Sequence, residues 1–176
     1  AGYDDVRKGI KEYAEYNILL DPNETNYTLS RLVDVQEVIR HKSPIPAMKA
    51  IKNEAEIRGY RSAMLKDGIA LVKFLRWLKP AVEAGGQTEI SIDKKLTSLR
   101  AEQPLFRDIS FDTIAGYGAH GAIVHYEATP ETDIPLEPHG LLLLDSGAQY
   151  QDGTTDITRT IALGPVSDYE KHIYTL

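Results

Sequence analysis

Apolar and polar positions follow different periods in successive parts of the chain. The first 42 residues combine short helical and strand-like segments, with a helix predicted over residues 3–16, a strand over 17–21, a helix over 27–32 and a strand over 35–39. These elements are too few to close a sheet around a core of their own. We therefore expect residues 1–42 to be the C-terminal end of an α/β domain that begins earlier.

The prolines at positions 44 and 46 are expected to break the chain before a region with a helical period. Apolar residues then recur in steps of three and four from about residue 53 to 79, which predicts an amphipathic helix that ends at Pro80. The apolar positions of this helix are Met64, Leu71, Leu75 and Leu78. Thr88 can cap a second helix that extends to about Glu102.

Strand-like segments dominate the following region and are predicted over residues 106–115, 122–126, 140–149 and 155–163. The leucines at 141–144 are typical of a strand that is buried on both faces. Ser167 begins a capping box for a last helix, which has run two turns where the sequence stops. The pattern predicts an α/β (α+β) protein that is cut within a domain.

Composition narrows the classes of function. A net charge of −6 argues against nucleic acid or an anionic membrane as a partner, and no apolar run reaches the roughly 18 residues that a membrane span needs. The chain has no cysteine, which excludes disulfides and thiolate ligands and fits a cytoplasmic protein. Any metal must therefore be held by oxygen and imidazole.

Two aspartates of the strand region, Asp145 and Asp156, are candidate metal ligands. Asp145 ends the run of leucines, where an unpaired buried charge would cost several kcal/mol, and Asp156 begins the next strand segment. Carboxylate oxygens suit Mn, Co or Zn, and two such ions about 3.5–4 Å apart can activate a water and polarise a peptide carbonyl. The alternative is that Asp145 pairs within a turn and Asp156 forms an ion pair with Arg159.

The segment around these aspartates is free of cations. Residues 108–158 contain no Lys or Arg but nine carboxylates and three of the five histidines, which favours a divalent cation unless this composition arose by chance. His125 follows the apolar run 121–124 and is a candidate for substrate binding or proton handling, with a structural histidine as the alternative. His120 and His139 are assigned to loops. No phosphate-binding motif accompanies the glycines, so no nucleotide cofactor is expected.

The loop between the two aspartates imposes a geometric condition. A two-residue hairpin at Asp152-Gly153 would set Asp156 opposite Gln149, roughly 13 Å along the strand from Asp145. That distance is too long for one binuclear site. The metal hypothesis therefore predicts an irregular hairpin, with the fold-back at 150–151 or a bulge near Gly153.

The sequence resembles aminopeptidase P (Xaa-Pro aminopeptidase), within the creatinase/prolidase/methionine-aminopeptidase pita-bread superfamily. The resemblance rests on residues 121–126 (GAIVHY), 130–132 (PET) and above all 145–160 (DSGAQYQDGTTDITRT). It implies that residues 43–176 are the first half of a pita-bread metallopeptidase domain, in which long helices pack on an antiparallel sheet. Residues 1–42 would end the creatinase-like α/β domain that precedes it.

The resemblance also implies a function. Family members are binuclear metallopeptidases, usually with manganese and with cobalt or zinc as alternatives, that cleave the bond before proline through a metal-bridging hydroxide. Asp145 matches the aspartate that chelates one metal, Asp156 the aspartate that bridges both, and His125 a histidine that contacts substrate. The implied substrates are peptides with proline at the second position, and a homodimer of the parent enzyme is compatible with the resemblance.

The sequence departs from the family pattern in its ligand set. The family completes its site with a histidine and two glutamates further along, whereas only Glu170 and His172 follow Asp156 here. These two lie about 200° apart around a helix and cannot chelate together. We therefore expect an incomplete or empty metal site and an inactive 176-residue chain. The alternative is a metal-free pita-bread relative that serves as a peptide-binding or protein-interaction module.

Overall fold

The computed structural model describes residues 2, 5–13, 15–33 and 38–176. The chain divides into two compact units, Ala1–Lys52 and Asn53–Leu176. The domain boundary after residue 42 stays a prediction. The prolines that suggested it do not break the chain but begin a short helix of the first unit, with Pro46 in its first turn, where a missing N–H is tolerated.

The first unit alternates helix and strand in the predicted order. Strands β1 and β2 pair in parallel, with Ile18 opposite Val38. Parts of the predicted first helix and second strand, at residues 3, 4, 14 and 35–37, lie outside the described residues. The elements are α1 Val6–Glu12, β1 Ile18–Leu20, α2 Tyr27–Ser30, β2 Val38–Arg40 and α3 Ile45–Ala50.

The second unit contains a helix of 31 residues, α4 Glu54–Ala84, followed by α5 Glu89–Ala101 and, at its end, α6 Asp168–Thr175. The predicted caps at Thr88 and Ser167 are confirmed, since each side chain accepts a hydrogen bond from the third residue of its helix.

The prediction that α4 ends at Pro80 is wrong, because the helix continues to Ala84 and ends at Gly85, whose φ is +84°. A proline inside a helix costs about 3 kcal/mol through the lost hydrogen bond and the clash with the preceding turn. The turn beyond Pro80 carries Val82, which is buried in the core, and burial of a side chain of this size contributes about 1.5–3 kcal/mol. Burial of Val82 in the last turn therefore offsets the tendency of Pro80 to end the helix.

Six strands form two antiparallel sheets, one in the order β3-β6-β7 and the other in the order β4-β5-β8. The predicted strand over 106–115 is wrong as a single element, since its two ends belong to different sheets. The predicted strand over 122–126 is also wrong, because a 3₁₀ helix, Gly118–Ala122, and a turn occupy this region. The strands are β3 Phe106–Ile109, β4 Ile114–Tyr117, β5 Leu141–Ser146, β6 Ala148–Tyr150, β7 Gly153–Thr154 and β8 Ile157–Ala162.

The main core lies between the helices α4 and α5 and one face of the β4-β5-β8 sheet. Leu142 and Leu144 of β5 are buried in it, whereas Leu141 and Leu143 are half-buried. The prediction of a strand buried on both faces is therefore wrong, because the second face of β5 is only half-buried. The core side chains include Phe74, Leu78, Val82, Ile92, Leu96, Leu142, Leu144 and Leu163.

None of the helices in the part of the chain that the structure describes is both long and apolar enough to cross a membrane.

The N-terminal half of α4 packs closely on the turn that follows β6. A Cβ added at Gly59 would lie 2.2 Å from the backbone oxygen of Asp152, whereas one added at Gly68 of the same helix would meet no atom within 4 Å. We expect Gly59→Ala to destabilise the second unit by about 1–3 kcal/mol through forced backbone displacement. Gly68→Ala should stabilise it by up to about 1 kcal/mol through helix propensity.

Thermal and urea unfolding of the two alanine variants measure this difference directly. Because both substitutions make the same chemical change in one helix, equal shifts for Gly59→Ala and Gly68→Ala would contradict the close approach.

Candidate metal centre

The two candidate aspartates lie on neighbouring antiparallel strands. Asp145 in β5 pairs with Thr158 in β8, and Asp156 immediately precedes β8, two residues before Thr158. Since side chains alternate between the faces of a strand, this register predicts that Asp145, Asp156 and Thr158 share one face. Diagonal neighbours of this kind have Cα atoms about 7–8 Å apart, which brings their carboxylates within reach of a shared pair of cations.

The hairpin between the aspartates differs from both predicted versions. Tyr150 pairs with Gly153 and Gln149 with Thr154, so the turn is centred on residues 151–152, one residue before the predicted Asp152-Gly153 turn and one after the alternative fold-back. The same register continues from this hairpin into the β5–β8 pair. The 13 Å separation that argued against a shared site therefore does not arise, and the predicted irregular hairpin is not required.

The hairpin crosses from one sheet to the other at Gly147. A Cβ added there would lie 2.1 Å from the Ser110 hydroxyl and 2.1 Å from the Thr155 backbone oxygen. That hydroxyl donates to the same Thr155 oxygen at 2.9 Å, and the Thr155 N–H donates to the Ala148 oxygen at 2.9 Å. The close packing at Gly147 fixes Thr155, the residue before Asp156, where the chain passes from one sheet to the other.

The surroundings of the two carboxylates are polar and accessible. The Thr158 hydroxyl donates to Asp145 Oδ1 at 2.8 Å, which supplies the partner expected for this charge, while Asp156 is exposed. Arg159 donates to the Thr158 backbone oxygen, and no ion pair among the described residues joins it to Asp156. Exposed carboxylate oxygens without a cationic partner fit a hard divalent cation.

Two aspartates alone make a partial ligand set. In the described residues, no group of three or more His, Asp or Glu side chains is arranged to hold a metal ion. Their assignment as ligands stays a prediction, and the half-buried face of β5 is where further ligands would have to approach.

The structure places His125 in a turn after the 3₁₀ helix, where it is exposed, with a φ of +56° in the left-handed region. The prediction that His125 lies at the end of a strand is wrong. Its role in substrate binding stays a prediction. His120, assigned to a loop, lies in the 3₁₀ helix and contacts the buried Glu89.

Below the hairpin lies a buried polar network that the sequence analysis missed. Asp67 of α4 and Arg100 of α5 are fully buried and form two hydrogen bonds, from Nε to Oδ1 at 2.6 Å and from Nη2 to Oδ2 at 3.1 Å. The Thr155 hydroxyl also donates to Asp67, at 2.8 Å, and so does the Tyr150 hydroxyl, at 3.3 Å. Burial raises the pKa of Tyr150, which keeps its hydroxyl protonated as a donor.

One signal in the sequence could have revealed this network. The buried stripe of α4 runs through Ala63, Asp67, Ala70 and Phe74, whereas the predicted stripe began at Met64, which is 45% exposed. Asp67 follows Ala63 by four positions and precedes Ala70 by three, so it lies on the buried stripe. A charged residue at such a position indicates that its charge has a partner in the core. Its partners come from 33 and 88 residues away, which no local pattern could supply.

A second ion pair at the hairpin should make stability depend on pH. Lys66 Nζ lies 2.6 Å from Asp152 Oδ1, and this hydrogen bond holds the pKa of Asp152 below its usual value. The contribution of Asp152 is therefore present above its unfolded pKa of about 3.9 and is lost as the pH falls through the folded pKa. The stability difference between the parent chain and Asp152→Asn should be larger at pH 7 than at pH 3.5.

Urea unfolding at the two pH values measures this difference. Asp112→Asn is the matched control, since Asp112 is exposed and takes part in no ion pair among the described residues. An Asp152→Asn effect of the same size at both pH values would contradict the ion pair.

Two protein-family profiles match the chain. Metallopeptidase family M24 matches residues 58–176, and the Creatinase/Prolidase N-terminal domain matches residues 1–56.

Curated relatives carry the names of aminopeptidases. The chain is 38% identical over 177 residues to Aminopeptidase P1 of Arabidopsis thaliana, covering 89% of this chain and 27% of the relative. It is 38% identical over 152 residues to Xaa-Pro aminopeptidase ApepP of Drosophila melanogaster, covering 86% of this chain and 25% of the relative. The chain thus spans about a quarter of the length of these relatives.

Solved structures with the same fold confirm the α/β pita-bread architecture and the resemblance to Xaa-Pro aminopeptidases. X-prolyl aminopeptidase from Caenorhabditis elegans, a cytosolic enzyme with a di-nuclear active site, has a TM-score of 0.83 and 34% identity to this chain. The match covers 95% of this chain and 29% of the Caenorhabditis elegans chain. Xaa-Pro dipeptidase from Bacillus anthracis has a TM-score of 0.79 and 27% identity. That match covers 99% of this chain and 48% of the dipeptidase chain. With well over half of its 176 residues matched, the chain belongs to metallopeptidase family M24.

Proposed function

We propose that this chain is part of an Xaa-Pro aminopeptidase and supplies Asp145 and Asp156 to a site for two divalent cations. The observation that carries the proposal is the strand register, which sets the two aspartates diagonally across β5 and β8 on the half-buried face of the sheet. The names of the relatives and the di-nuclear site of the Caenorhabditis elegans enzyme support the same conclusion.

Each residue has a distinct role in this proposal. Asp145, oriented by the Thr158 hydroxyl, and Asp156 would together hold the two cations. Manganese is the proposed metal because hard carboxylate oxygens suit it, with cobalt or zinc as alternatives. When bound, such a pair of cations lowers the pKa of a water molecule and polarises the carbonyl before proline. His125 contacts the substrate near the bond that is cleaved.

The proposed substrates are peptides with proline at the second position, as the names of the relatives suggest. Residues 1–42 are proposed to end a creatinase-like domain and residues 43–176 to begin the metallopeptidase domain. The two profile matches occur in the same order but meet at residues 56–58. A cytoplasmic location is proposed by analogy with the cytosolic Caenorhabditis elegans enzyme.

The 176 residues alone are proposed to be inactive. Asp145 and Asp156 supply two of five ligands, and Glu170 already accepts hydrogen bonds from the backbone and hydroxyl of Ser167 as part of the cap of α6. Because both aspartates are assigned as metal ligands, the proposed set of residues leaves no general base.

The test compares the 176-residue chain with a polypeptide that extends it through the rest of the metallopeptidase domain. With manganese added, the extended protein should release the N-terminal residue from an Xaa-Pro peptide but not from a matched Xaa-Ala peptide, and the shorter chain should release neither. An extended protein that holds its metals yet leaves Xaa-Pro bonds intact would refute the proposal. Peptide binding without metal would instead favour the interaction module.

A further inference from the structure

The segment that carries His125 is an exposed loop, residues 117–126, which we name the His125 loop. It leaves the end of β4 at Tyr117, forms the 3₁₀ helix and returns to the protein interior at the buried Tyr126. Its tip is open to solvent, with Ile123 51% and Val124 82% exposed. A side chain at such a tip holds one position only if the rest of the loop is anchored to the protein.

Glu89 provides this anchor from outside the loop. The side chain is fully buried at the first residue of α5, where the helix dipole favours a negative charge. Its carboxylate accepts hydrogen bonds from the Tyr117 backbone N–H at 2.8 Å and the Tyr126 hydroxyl at 2.7 Å, and His120 Nδ1 lies 3.0 Å from each of its oxygens. One carboxylate therefore holds the start, the middle and the end of the His125 loop.

The donors around this carboxylate are suited to hold it. Burial raises the pKa of Tyr126, so its hydroxyl stays protonated and donates. The rings of His120 and Tyr126 lie 4.5 Å apart between centroids, which packs the middle of the loop against its end. Hydrogen bonds to a buried charge are stronger than neutral ones, so losing Glu89 releases several restraints at once.

The loop also lies against the sheet face that carries Asp145. A Cβ added at Gly121 would lie 3.4 Å from the Leu143 Cβ, and one added at Gly116 would lie 2.8 Å from the Gly121 nitrogen. Leu143 is two residues before Asp145 in β5, so both side chains project from the same face. The His125 loop thus contacts Leu143, two residues before Asp145, on the face where the metal centre is proposed.

We propose that Glu89 is the positioning residue of the His125 loop, which contacts the face that carries Asp145 at Gly121, and that it fixes the position of His125 without itself touching substrate. This inference rests on the proposed function for the role of His125. The holding of the loop by Glu89 can be tested without it, because loop protection is measurable in the 176-residue chain in the absence of metal and substrate.

Hydrogen exchange of the 176-residue chain is the first experiment. In Glu89→Gln, the amides of residues 117–126 should exchange about tenfold or more faster than in the parent, since losing one buried charge-assisted hydrogen bond corresponds to about that factor. The core amides of β5 should keep their protection. Glu102→Gln, the same change at an exposed residue after the same helix, should leave the loop unaltered.

A milder variant keeps the test valid if Glu89→Gln does not fold. Tyr126→Phe removes only the hydroxyl that donates to Glu89 and should also accelerate exchange in the loop, while Tyr169→Phe on α6, 73% exposed, should not. Unchanged loop exchange in the folded variants, or acceleration spread evenly over the second unit, would overturn the proposal.

The second experiment uses the extended, metal-loaded protein. Glu89→Gln should lower kcat/KM for an Xaa-Pro peptide by about tenfold to a hundredfold, the range for loss of a residue that orients a functional side chain. The bound metal should be retained. In a His125→Ala background the same change should have little further effect, because Glu89 acts through His125. Full additivity would overturn the positioning role. A His125→Ala variant with normal activity would refute the proposed role of His125 and with it this function of Glu89, whereas loop exchange reports the anchor separately.

Discussion

Replacing Asp67 with alanine should lower the free energy of unfolding of the Asn53–Leu176 unit by about 3–5 kcal/mol, because it leaves the fully buried guanidinium of Arg100 without its carboxylate. The hydroxyls of Thr155 and Tyr150 lose the same acceptor. Since domains are stable by only about 5–15 kcal/mol, this loss is a large fraction of the total and should lower the midpoint of thermal unfolding. Urea unfolding monitored by circular dichroism measures the loss.

Further variants separate the effect of the unpaired charge from that of the lost hydroxyl contacts. An Asp67→Leu/Arg100→Met double variant removes both charges and should recover much of the stability that Asp67→Ala loses. Thr155→Val removes one buried donor and should cost about 1–3 kcal/mol, whereas Thr154→Val at the exposed neighbouring position should cost far less. An Asp67→Ala chain as stable as the parent would contradict the network.

Replacing Asp145 or Asp156 with asparagine should reduce metal binding and Xaa-Pro hydrolysis in the extended protein by more than about a hundredfold. Loss of groups that only orient a metal ligand already costs 10–100-fold, so loss of a ligand itself should cost more. Neither side chain is fully buried, and Asp145 has one hydroxyl donor, so the stability of the 176-residue chain should change little. Metal content by mass spectrometry and initial rates measure the two effects.

The matched control is Asp152→Asn, which removes a carboxylate from the same hairpin but one that is paired with Lys66. It should leave metal content unchanged. Retention of two metal ions per chain in both Asp145→Asn and Asp156→Asn would show that these aspartates are not ligands, even if activity fell.

Local signals in the sequence predicted much of the fold. The caps at Thr88 and Ser167, the helical period before residue 80 and the order of elements in the first unit all appear in the structure. These features depend on residues within one or two turns of each other. Pro80 is the exception, because the core contact of Val82 lies outside its local segment.

The candidate site was predicted only in part. The aspartates were identified by residue type and spacing, but the hairpin register that relates them was not. That register depends on the contact of Gly59 with the backbone of Asp152 and on the crossing at Gly147, which involve distant elements. A shift of one residue along a strand turns side chains to the other face, so spacing alone could not decide the geometry.

The sequence by itself determined the family, the helices with their caps, and the two aspartates with a candidate histidine, because each follows from short-range pattern or motif. The tertiary structure alone decided that β5 is only half-buried on the aspartate side, that Asp67 is paired with Arg100, and that Glu89 holds the His125 loop. These properties depend on which residues meet across 28 or more positions of the chain. The free energy of a buried charge depends on its partners, and only packing brings those partners together.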